Sequence, residues 1–175
     1  MYRKVVGVAF AAVLLAILAS SVLGIDISRE GLIDLDPELD DAEVQNQVYR
    51  ELGGERKNRS DETLSRSKPL EMMAEANATE MASAEYVGHG NMSGYGATLR
   101  AFDHGYECKG HGVGENAAKM YYRKSFQGEG GNRIYSTPRE LGEGVVDSWM
   151  ESEGHREIVL SARYSDVGVG SQITG

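Results

Sequence analysis

Between Lys4 and Asp26 the chain carries no charge: Val5 to Ile25 is an unbroken run of apolar and small residues. About 20 such residues are what a helix needs to cross the hydrocarbon of a bilayer, so the run predicts an N-terminal hydrophobic helix. Arg3 and Lys4 ahead of it keep the N-terminus inside and send everything downstream out of the cytoplasm. Ala19, Ser20, Ser21 and Gly24 offer small residues but no Ala-x-Ala site, and no cysteine follows to take a lipid. Residues 1–25 therefore read either as an uncleaved signal anchor or as a signal peptide. The remainder is expected outside the cytoplasm, membrane-anchored in the first case and secreted in the second.

The rest of this 175-residue chain has room for one domain. Its formal charge falls from -9 to -11 once Arg3 and Lys4 go with residues 1–24. Such a surface repels nucleic acid and anionic lipid heads. With 12 arginines and 6 lysines against 27 acidic residues, it suits a salt-rich habitat where cations screen the self-repulsion. Loss of fold in low salt would support that expectation, and indifference to salt would refute it. Residues 26–42, acidic and interrupted by Pro37, read as a solvated tether. Asn58, Asn77 and Asn91 each head an Asn-x-Ser/Thr triplet, compatible with glycosylation outside the cell. Cys108 is the single cysteine, which excludes an internal disulfide. His104 and His111 flank it, yet closeness in sequence alone does not activate a thiol; both histidines and Glu107 read as ordinary loop residues.

The folded part begins near residue 43. Val44, Val48 and Leu52 recur every four residues, predicting a short helix ended by Gly53 and Gly54. Pro69 to Ala84 predicts a second, with Leu70, Met73, Ala74, Asn77 and Met81 on one face and the methionines as core filler. Residues 86–114 carry eight glycines that interrupt any period, predicting a long shaped loop holding three of the four histidines. Ser136-Thr137-Pro138 is a helix start, and Leu141, Val145 and Trp149 form the buried stripe of a third helix that breaks at Gly154. Ile158-Val159-Leu160 and Val167-Gly168-Val169-Gly170 read as short strands. Helices interspersed with short strands give an α+β class rather than a doubly wound parallel sheet.

Three pieces stand in order: Tyr86-Val87-Gly88-His89, Gly114-Glu115-Asn116, and Trp149 to Arg156 leading through Tyr164 into Gly168-Val169-Gly170. Together they resemble the CAP superfamily of secreted proteins, or SCP domain, particularly its cysteine-poor prokaryotic branch. The resemblance covers roughly residues 43–170 and makes 43–175 a CAP-like domain. It implies an α-β-α sandwich around a small antiparallel sheet of three or four strands. It also implies a cleft lined by two histidines and one or two acidic residues. His89 and His155 match the histidines, which in several members bind zinc or another divalent cation. Glu115 matches the acidic residue of the Gly-Glu-Asn motif, and Glu151 and Glu153 are both candidates for the second acid. Members usually continue into an aromatic-rich final strand, whereas this chain stops at Gly175. That departure implies a missing strand or a truncated product, and an open sheet edge that invites strand pairing with a partner.

Two imidazoles and a carboxylate are also a reasonable first shell for zinc on chemical grounds, with one position open for water or substrate. The same pair of groups could instead bridge loops through a charge-assisted hydrogen bond. Asn116 reads as tying the loop after Glu115, Arg156 as holding a carboxylate or helix end, and Trp149 as core. The leading functional reading is a non-enzymatic, surface-tethered binding module for a small ligand, lipid or surface polymer. The alternative is a metal-assisted hydrolase with Glu115 as base and the histidines as ligands, and a third is a degenerate homologue. No serine or cysteine motif for nucleophilic catalysis is present.

Overall fold

The computed structural model describes residues 7–9, 39–59, 63–108, 110, 112–124, 126–128 and 131–174. Most of the leader, the tether through residue 38, and His111 lie outside them. The elements run β1 (Gly7–Ala9), α1 (Asp41–Arg59), β2 (Ser65–Arg66), α2 (Lys68–Ser83), α3 (Ala97–Asp103), β3 (Asn116–Ala118), β4 (Phe126–Gly128), β5 (Gly131–Arg133), α4 (Pro138–Glu151), α5 (Glu153–Leu160) and β6 (Asp166–Val167). The class is α+β. Among the described residues no helix is long and apolar enough to cross a membrane, and the described piece of the leader is strand β1.

α1 begins where Asp40 caps it, its Oδ1 accepting from Ala42 N–H at 2.9 Å. It does not stop at Gly53 and Gly54 but continues to Arg59. The reason is the buried stripe Val44, Val48, Leu52, which extends one more step to Arg56, fully buried. Arg56 Nη1 donates to the carbonyls of Val159 at 2.9 Å and Ser161 at 2.8 Å, and Nη2 to that of Tyr164 at 3.0 Å. These bonds to the end of α5 and the turn beyond it hold two glycines helical that would otherwise weaken the segment by about 1 kcal/mol each. α2 spans the expected region, with Leu70, Met73, Ala74, Asn77 and Met81 all buried. α4 starts as its hydroxyl-proline signal predicts: Thr137 Oγ1 accepts from Glu140 N–H at 3.1 Å, and Glu140 Oε2 accepts from Ser136 N–H at 2.7 Å. Leu141, Val145 and Trp149 are its buried stripe.

Three other expectations are corrected. The glycine-rich stretch 86–114 is not all loop, because Ala97–Asp103, free of glycine, forms α3. The break after α4 falls at Ser152, and Gly154 lies in the first turn of α5. Ile158-Val159-Leu160 is the last turn of that helix rather than a strand, because Val159 turns into the core against α1 and α4.

The strands form three two-stranded ladders: β1 with β3 antiparallel, β2 with β6 parallel, and β4 with β5 antiparallel. The antiparallel sheet of three or four strands is thus not present among the described residues. The parallel ladder arises because β2 and β6 both lead onto the start of α2, where Ser67 N–H donates to Val167 O at 2.9 Å. After β6 the chain lies directly on α2, and a Cβ on Gly168 or Gly170 would overlap the helix backbone at Leu70–Glu71 and Ala74–Glu75. α1 packs on α4 and α5, while α2 packs on β1 and α3.

Candidate functional site

His89 sits at the head of a small loop closed by the bridge between Gly90 and Gly96. Asn91 shapes that loop, its Oδ1 accepting from the N–H groups of Ser93 at 3.1 Å and Tyr95 at 2.8 Å. Tyr86 O–H donates to Gly90 O at 3.1 Å, bracing the loop from α2's side. Burial and the nearby Glu80 carboxylate hold that phenol above its usual range.

Glu115 comes to the loop along the segment leading into β3. Val113 N–H donates to Thr98 Oγ1 at 3.0 Å, pinning that segment to α3. Gly114 leaves room for the Tyr164 hydroxyl, which would lie 2.7 Å from any Cβ there. The Glu115 carboxylate, 3% exposed, is engaged on both oxygens. His89 Nδ1–H donates to Oε1 at 3.0 Å, and Arg100 Nη2 donates to Oε2. The His89 ring remains 61% exposed. The hydrogen bond to Glu115 raises its pKa above 6.5, against the opposing effect of burial.

Arg100, the residue the sequence pattern did not single out, ties these parts together. It lies on α3, 5% exposed, with Nε donating to Tyr95 O at 3.1 Å and Nη2 also reaching His89 O at 3.2 Å. One guanidinium thus joins both ends of the His89 loop to the Glu115 carboxylate.

His155 lies on α5, and Asn116 brings that helix to β3 by donating from Nδ2 to His155 O at 3.0 Å. Burial, followed by the charge of nearby His89, lowers the His155 pKa below 6.5. His89, Glu115 and His155 therefore share one neighbourhood. Glu151, at the end of α4, instead accepts from Arg133 Nη2 at 2.9 Å, and Glu153 is exposed in the first turn of α5. Arg156 Nη1 donates to Met150 O at 2.8 Å, closing the end of α4, and Trp149 is buried. His104 Nδ1 is bonded to Arg100 O at 2.8 Å. Of the triplet asparagines, Asn77 is 2% exposed, so a glycan there is incompatible with the folded helix.

Among the described residues no three His, Cys, Asp or Glu side chains converge as a metal shell. Glu115 has a guanidinium on one oxygen and an imidazole on the other, which leaves it behind His89 rather than beside it. With Nδ1 bonded to Glu115, His89 has Nε2 left to offer a ligand. The residues present do not fit a shell of two histidines and Glu115.

The chain belongs to the CAP family, described as the cysteine-rich secretory protein family, whose profile matches residues 49–175. It is 32% identical over 136 residues to the uncharacterized protein YkwD of Bacillus subtilis (strain 168), a match covering 76% of this chain and 39% of that protein. The chain thus spans about two fifths of the length of this relative. No solved structure matches it significantly.

Proposed function

We propose that this CAP domain is a non-enzymatic binding module that works outside the cytoplasm, with a cleft built on His89, Glu115 and His155. The observation that carries this reading is the state of Glu115. A general base must meet the proton it takes, and a carboxylate that is 3% exposed, with Arg100 on one oxygen and His89 on the other, is shielded from a bound water. Its role is to orient an exposed imidazole. A divalent cation would be taken by His89 and His155 and would polarise an oxygen of the ligand; two protein ligands make such a site weaker than a structural zinc site. We also infer two helical layers about the strands, α1 with α4 and α5 on one side and α2 with α3 on the other.

The test incubates the full chain with a panel of peptides and surface polymers, reading retention and turnover together. The module reading predicts retention without turnover. Turnover that falls by orders of magnitude in Glu115→Gln would establish the hydrolase instead.

A further inference from the structure

β3 leads straight into Lys119-Met120-Tyr121-Tyr122-Arg123-Lys124, three cations and two tyrosines in six residues of a chain with formal charge -9. Met120 and Tyr122 turn into the core, and Lys119, Arg123 and Lys124 stay exposed around a half-buried Tyr121. The ammonium groups of Lys119 and Lys124 lie 5.9 and 5.1 Å from the centroid of the Tyr121 ring. The Arg123 guanidinium lies 5.0 Å from that of Tyr122. Each ammonium is drawn to the electron-rich ring, so one tyrosine holds both cations in its neighbourhood. Among the described residues neither lysine meets a carboxylate, whereas Arg59, Arg66, Lys68, Arg133 and Arg139 each do.

The backbone is committed to this display. Arg123 has φ 52, a left-handed conformation that an arginine adopts only when its surroundings impose it. Its N–H donates to Tyr135 O at 2.7 Å, next to the bridge between Tyr122 and Tyr135, so the turn is locked to the segment between β5 and α4.

We propose that Lys119, Tyr121, Arg123 and Lys124 form a binding site for an acidic polysaccharide, a site separate from the His89 cleft. The two ammonium groups on either end of the Tyr121 segment each take a carboxylate or sulfate of the polymer, and the planar guanidinium takes another through two parallel hydrogen bonds. Nucleic acid is the weaker match, because three cations fall short of the phosphate contacts that tight binding uses and the acidic remainder repels so dense a charge. An anionic bilayer is weaker too. It would bring that remainder within about a Debye length of the headgroups, roughly 8 Å at physiological salt, whereas a single polymer strand touches the basic segment alone.

The test uses the full chain in zwitterionic micelles, titrated calorimetrically with polygalacturonate at two salt concentrations. Neutral dextran and single-stranded DNA serve as comparisons, and phosphatidylglycerol doped into the micelles competes for the segment as an anionic lipid. Polygalacturonate binds and dextran does not. In Lys119→Gln/Lys124→Gln the affinity falls about tenfold or more, and the salt dependence loses about two charges' worth of slope. Arg123→Gln weakens binding in the same direction, and Lys68→Gln, which removes an exposed lysine on α2, changes nothing. The proposal is overturned if the wild-type chain ignores polygalacturonate, if the double variant binds it unchanged, if DNA binds more tightly, or if doping the micelles with phosphatidylglycerol abolishes polygalacturonate binding. None of these results touches the cleft reading, since His89 and Glu115 take no part.

Discussion

Replacing Arg100 by methionine removes the guanidinium while keeping most of the side chain's volume in a site that is 5% exposed. Three acceptors lose their donor together: the Glu115 carboxylate, Tyr95 O and His89 O. Breaking a buried ion pair from one side costs about 3–5 kcal/mol, because the surviving charge stays buried without compensation. For a domain of this size each kcal/mol moves the melting temperature by about 3–5 °C, so Arg100→Met is expected to lower it by roughly 10–20 °C. Glu115→Gln strands the arginine instead and costs about 2–3 kcal/mol. If the two groups act as one unit, the double variant loses less than the sum of the singles by about 2 kcal/mol or more. Urea unfolding of the four proteins at neutral pH reads this directly. An Arg100→Met cost below about 1 kcal/mol, or additivity within about 0.5 kcal/mol, would refute the idea that this ion pair holds the cleft together.

Other outcomes rest on particular residues. Asn77 is buried on α2 with neither amide atom partnered among the described residues, so Asn77→Leu is expected to stabilise by about 1–2 kcal/mol, visible as a rise in melting temperature. Gly168→Ala puts a methyl into the α2 backbone and is expected to cost about 3 kcal/mol or more; a melting temperature unchanged from wild type would contradict the close packing. The two cleft histidines act on opposite sides of pH 6.5. The raised His89 pKa adds stability that is complete below 6.5 and fades as pH climbs through its folded value. The lowered His155 pKa makes stability fall as pH drops from 6.5 toward its folded value. His89→Gln should therefore flatten the alkaline limb of the stability–pH curve, and His155→Gln the acid limb.

Where a helix carried both a period and a start signal, the sequence was legible. α2 and α4 appear where their apolar stripes and prolines placed them. The departures share one cause, that tertiary contacts overrode local signals. Gly53 and Gly54 lie inside α1 because the stripe of Val44, Val48 and Leu52 continues into Arg56, whose partners lie more than a hundred residues away. Ile158-Val159-Leu160 has strand composition, yet those same bonds close the end of α5 around it. The family resemblance pointed to His89, Glu115 and His155, of which the fold bonds the first two to each other; it did not point to Arg100, whose partners are a carboxylate and two carbonyls that only the folded loop brings within reach. The strand pairing was the least legible feature, since ladders of two or three residues carry too little pattern to reveal their partners.

The proposed module needs His89 Nδ1 held by Glu115, so that Nε2 is the ring atom left for a ligand. Long-range proton–nitrogen NMR of the full chain, at a pH where His89 is neutral, tests this most directly. The expected spectrum is that of the Nδ1–H tautomer of His89, its proton held by Glu115, shifting to a mixture of tautomers in Glu115→Gln. An Nε2–H tautomer in the wild-type chain, unaffected by Glu115→Gln, would contradict it.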